Sequence, residues 1–121
     1  MEIKKIKPNI YSILQKTRNE VKGPLHTETG FIRVNNMSIE FILSHPFGVA
    51  EISEGTIKDN IIDVRTTSLS RTSSAKQPFV TSFSRYYKLE DNNKLVYDMY
   101  LGVNNEEEKH HLKAELYKVI N

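Results

Sequence analysis

Histidine has the most to offer chemically in this sequence, because an imidazole can carry a proton or bind a metal near neutral pH. There are four: His26 in PLHTE, His45 in SHPFG, and the adjacent His110 and His111 in EEEKHHLKAELYKVI. Cysteine is absent, so no disulfide framework or thiolate chemistry is available. Any metal must therefore be held by imidazoles, carboxylates or carbonyls. Other chemistries find little to build on. No two histidines stand at the i, i+4 spacing of H-E-x-x-H, and the carboxylates form no pair with an evident polar pocket. The serines of SLSRTSS (Ser68–Ser74) have no neighbouring base, and neither ETG nor SEG has the context of a phosphate-binding loop.

The elements that must position these residues are read from length, charge and alternation. A chain of 121 residues is expected to form a single domain with one core. Its formal charge is +2 and its basic residues are scattered, a poor footprint for a nucleic acid. No apolar run approaches the roughly 18 residues of a membrane span, and Met1–Lys7 leads into no apolar stretch that a secretory signal would need. These features predict a soluble, cytoplasmic protein, with the nucleus as the alternative.

Period-two alternation in short runs dominates the sequence and predicts half-buried antiparallel strands. Tyr11, Ile13 and Gln15 alternate with Ile10, Ser12 and Leu14; Ile39, Phe41 and Leu43 alternate with Ser38, Glu40 and Ile42. Runs at 49–53, 56–58 and 61–67 are separated by Glu54-Gly55 and Asp59-Asn60, both suited to tight turns. A strand over 79–89 returns through EDNNK (Glu90–Lys94) as 95–101, and SRTSSAKQ (Ser70–Gln77) is the longest polar connection. The C-terminal segment reads two ways. Leu112, Leu116, Val119 and Ile120 have helix spacing behind Asn104 and Asn105, which local rules favour. Leu112, Ala114, Leu116 and Ile120 also fit a closing strand. The expected fold class is all-β, an antiparallel meander that manages its edges by curling into a small barrel, complete or not, of the kind that encloses one ligand.

Four separated motifs resemble the nitrobindin family, small haem-binding β-barrels similar to fatty-acid-binding proteins and also found fused to a THAP-type zinc-finger protein. They are GPLHTETGFIRV (Gly23–Val34), SHPFGVAEISEG (Ser44–Gly55), SLSRTSSAK (Ser68–Lys76) and HLKAELYKV (His111–Val119), in the family's order. Family members begin with a G-x-W-x-G-x-G strand, which this tryptophan-free sequence lacks. The resemblance therefore implies one domain over residues 1–121, shortened at its N-terminus. It also turns the C-terminal segment into the barrel's last strand.

The resemblance further implies haem b as cofactor, with His111 as the iron's protein ligand and the opposite axial position free for a small molecule. His26 matches the position near the haem's open face, Leu25 a hydrophobic pocket position, and His45 another cavity position. Lys76 matches a lysine that would meet a haem propionate, and Met99 resembles a cavity-lining methionine. Alternation alone favours His110, which shares a strand face with Leu112 and Ala114, unless a bulge resets the phase. The implied activity is nitric oxide binding and isomerisation of peroxynitrite to nitrate at ferric haem, with a homodimer left open and no membrane or nucleic-acid partner. Two alternatives from other classes are a haem-free barrel holding an apolar molecule and an incomplete barrel that associates through its open edges.

Overall fold

The computed structural model describes residues 1–19, 23–91 and 93–117. Nine antiparallel strands follow one another in a single meander: β1 (Glu2–Lys7), β2 (Ile10–Asn19), β3 (Gly23–Asn35), β4 (Ser38–His45), β5 (Val49–Lys58), β6 (Ile61–Arg71), β7 (Val80–Asp91), β8 (Lys94–Val103) and β9 (Lys109–Tyr117). Each strand pairs with its neighbours in chain order, and no helix occurs among the described residues.

The turns follow from residues that tolerate the left-handed region. Asp59 and Asn60 adopt φ of 51° and 65°, the pair of positive angles that a two-residue hairpin needs. Asn104 and Asn105 make a similar turn ahead of β9, at 53° and 62°. Their asparagines therefore close a hairpin instead of starting a helix. The C-terminal helix that local spacing favours does not form: Lys109–Tyr117 pairs along β8, burying Leu112 and Ala114 partly against the core. Val119 and Ile120 lie outside the described residues.

Glu54-Gly55 is not a turn either, because β5 runs unbroken through it. Gly55 has another purpose there. A Cβ on it would sit 1.9 Å from the backbone oxygen of Asp63 on β6, so only glycine lets the two strands approach. Two strands that alternation does not reveal, β1 and β3, complete the meander; β1 exposes all six of its side chains.

The sheet is strongly curled. β3 and β9 stand six places apart in strand order, about 29 Å across a flat sheet at roughly 4.8 Å per strand. Yet the rings of His26 on β3 and His111 on β9 lie only 6.3 Å apart, centroid to centroid. β1 and β9 are not paired with each other among the described residues, so the structure is a half-barrel wrapped around one interior.

That interior takes every second residue of the strands. β4 buries Ile39, Phe41 and Leu43 and turns Glu40 and Ile42 outward; β7 buries Phe83, Arg85 and Tyr87. Tyr87 stacks on Tyr97 at 4.4 Å, and Phe41 packs 5.8 Å from Tyr87. Each apolar side chain among them contributes about 1.5–3 kcal/mol by leaving water.

Candidate functional site

The last strand presents its two histidines in opposite directions, and a bulge is the reason. β8 and β9 pair residue for residue from Lys94 with Tyr117 to Met99 with Leu112, then resume with Tyr100 opposite His110. His111 is the extra residue, and an extra residue re-aims its side chain. His110 remains outside, where its Nε2 donates to Asp98 Oδ1 at 2.9 Å and its ring meets Tyr100 edge-on. His111 lines the interior cavity.

This cavity has a volume of about 790 Å³, within the range of small-molecule and cofactor sites. Phe47, Phe79, Phe83 and Leu101 make its apolar wall, with His26, Met99 and His111 among them. Its basic residues come from the end of β6 and the connection after it. Arg71 donates to the Val80 carbonyl at 3.0 Å and lies over the Phe79 ring, while Lys76 is exposed. Partial burial, reinforced by His26 and His110 nearby, pushes His111 below the usual histidine range. At neutral pH its imidazole is therefore neutral, the form that donates a lone pair to a metal.

Beneath the cavity lies a polar network that the sequence reading did not anticipate. Arg85 on β7, 1 % exposed, forks its guanidinium between two buried carboxylates. Its Nη1 donates to Glu28 Oε1 and its Nη2 to Glu51 Oε1, both at 2.6 Å, and its Nε donates to Glu51 Oε2 at 3.0 Å. Each carboxylate then takes a histidine: His26 Nε2 donates to Glu28 Oε2 at 3.0 Å, and His45 Nε2 to Glu51 Oε1 at 2.9 Å. Ser53 also donates to Glu51. The order is His26–Glu28–Arg85–Glu51–His45, with Tyr97 accepting from Arg85 Nη1 at 2.9 Å and donating to the Met99 sulfur at 3.1 Å.

Buried charges persist only when paired and hydrogen-bonded, and these are. Burial pushes both glutamates up, but the histidine hydrogen bonds and the Arg85 charge more than reverse it. Glu28 is held below the ordinary carboxylate range, and Glu51 is held down at about 2. The absence of an evident carboxylate pair is thus corrected by the structure: Glu28 and Glu51 are far apart in sequence and meet only because the sheet curls. Only local clues existed, His26 and Glu28 two apart on one strand face and an arginine in an inward phase on β7.

The histidine, lysine and methionine candidates divide between cavity and network. His26 belongs to both, since it lines the cavity and bonds Glu28. His45 is buried behind the wall, its ring parallel to Phe83 at 4.8 Å and its Nδ1 without a partner. Met99 lines the cavity and is fully buried, and Lys76 lines it from the connecting loop. Leu25 lies on β3, and its side chain is outside the described residues.

Comparison with known proteins adds a family. Residues 2–118 match the family model described as "THAP4-like, heme-binding beta-barrel domain". Peroxynitrite isomerase 2 of Mycobacterium avium (strain 104) is 37% identical over 110 residues, 86% of this chain and 66% of that protein. The peroxynitrite isomerase of Frankia casuarinae is 37% identical over 105 residues, 83% of this chain and 55% of that protein. The crystal structure of Rv2717c from M. tuberculosis is similar with a TM-score of 0.81 and 28% identity, covering 98% of this chain and 77% of that one. The chain thus spans less than two thirds of the length of these two named relatives. Because the family model extends over nearly the whole sequence, the chain belongs to the THAP4-like haem-binding β-barrel family, the nitrobindins.

Proposed function

We propose that this chain holds haem b through His111 and isomerises peroxynitrite to nitrate, with nitric oxide as a second ligand of the same site. The observation that carries the reading is the bulge, which turns one neutral imidazole into an apolar-walled cavity of about 790 Å³. The residues fit the group. A single neutral histidine suits a haem iron, the apolar side chains of the wall suit the porphyrin faces, and Lys76 and Arg71 suit the propionates. Bound haem would supply a ferric iron, the centre that converts peroxynitrite to nitrate.

The chain's own part is binding and shielding. His111 offers its lone pair, and Phe47, Phe79, Phe83 and Leu101 give the cavity an apolar wall for the ring system. His26 keeps its Nε2 on Glu28, so its ring is held in place at the cavity wall. The isomerisation consumes no external proton, so no side chain need act as acid or base. The names of the Mycobacterium and Frankia relatives support the substrate.

Rapid mixing of the haem-loaded chain with peroxynitrite tests the proposal, reading decay rate and nitrate yield. The wild type accelerates decay and raises nitrate over nitrite, and His111→Ala loses at least about tenfold in rate. Equal rates with and without the protein overturn it.

A further inference from the structure

The charge of the buried network does not balance. Arg85 supplies one positive charge and Glu28 and Glu51 two negative ones, so with both histidines neutral the cluster lacks one positive charge. All five side chains are buried, where a net charge is costly. A proton on one imidazole would restore neutrality. It would also leave the Nδ1 of His45, which is buried without a partner, as unsatisfied as before.

We propose that the network is a divalent transition-metal site of the zinc class, built by His26 Nε2, Glu28 Oε2 and His45 Nδ1, which does not use His111 and shares only His26 with the wall of the cavity. Donor atoms of these three residues already lie within 4.8 Å of one another. His26 Nε2 and Glu28 Oε2 stand 3.0 Å apart, a few tenths of an ångström short of the roughly 3.3 Å between neighbouring tetrahedral ligands that are each about 2.0–2.1 Å from one zinc ion. A divalent ion would take the cluster from −1 to +1, so a hydroxide at the ion's open position would complete the balance; the His26 ring proton would move to Nδ1, and Glu28 would keep its other oxygen on Arg85.

The surrounding contacts are those that metal ligands use. A coordinating histidine commonly gives its second ring nitrogen to a carboxylate, and His45 gives its Nε2 to Glu51, which Arg85 and Ser53 hold in turn. This arrangement leaves Nδ1 as the nitrogen for the ion. Two imidazoles and one carboxylate form a borderline donor set that takes zinc, cobalt or nickel, while calcium and magnesium prefer all-oxygen sites. His26 lines the cavity, which gives an ion its way in.

The site does not depend on the haem reading, and the experiment keeps them apart. Co²⁺ is titrated into the haem-free full chain while its visible absorption is followed, with Zn²⁺ competition and circular dichroism to check folding. One Co²⁺ per chain should bind, with the intense bands of a four- or five-coordinate ion that Zn²⁺ abolishes. His45→Gln and Glu28→Gln should each weaken binding at least about tenfold, and Glu51→Gln about 10–100-fold through loss of its orienting contact. His111→Ala and His110→Ala should bind Co²⁺ as the wild type does. Should the buried variants fail to fold, zinc-edge X-ray absorption of the wild type reads the same point directly, and two imidazoles in the coordination sphere are expected. No bound Co²⁺, a sphere without imidazole, unaltered binding in folded His45→Gln, or binding lost in His111→Ala each overturns the proposal.

Discussion

At the scale of single residues, the interior places a buried ionic cluster next to an apolar cavity, and acid stability should follow from it. Glu51 titrates near 2 in the folded chain, against roughly 4.3 for an unperturbed glutamate. A depressed folded value means the unfolded chain binds the proton more readily. The stabilisation is therefore complete above about pH 4.5 and is lost as pH falls toward 2, on the order of 3 kcal/mol in all. Urea midpoints near neutral pH and near pH 3 check this: the wild type should lose stability across that interval, and Glu51→Gln should show a flatter dependence. Equal acid sensitivity in both would mean that Glu51 is not held by the cluster.

At the scale of elements, the meander places residues by phase, and irregularities in phase carry the function. His111 reaches the cavity because β9 has one residue more than β8 requires, an irregularity that alternation cannot forecast. Strict alternation puts His110 inside, and the structure puts it outside against Asp98. Gly55 shows the converse, a turn-forming pair absorbed into a strand because β6 passes too close for a Cβ. Gly55→Ala should accordingly cost about 1–3 kcal/mol, measurable as a lower urea midpoint, and an unchanged midpoint would contradict the close approach. Strands with clean alternation, such as β4, were legible in the sequence. The buried network was not, because its members come from β3, β4, β5 and β7 and meet only through the curl. The C-terminal helix that local spacing favours, and that the family resemblance replaces with a closing strand, does not form for a related reason: pairing along β8 outweighs the weak local preference of a short segment.

At the scale of the whole molecule, a curled sheet with β1 at one edge and β9 at the other should not be uniformly stable. β1 exposes every side chain and pairs only with β2, whereas β4 is paired on both sides and buries Ile39, Phe41 and Leu43. Native-state hydrogen exchange should find β1 amides opening well before those of β4, and similar protection in the two would argue for closure of the edge. The cavity lies away from that weak edge, between strands from the middle of the sheet and its last strand. Haem binding is therefore expected of this half-barrel as it stands. The most direct check is to titrate haem into the haem-free chain and follow the Soret absorbance. The wild type and His110→Ala should each bind one haem per chain, with affinity at least about tenfold weaker in His111→Ala. A wild type that gives no shifted Soret band, or a His111→Ala chain that binds haem as tightly and with the same spectrum, would contradict it.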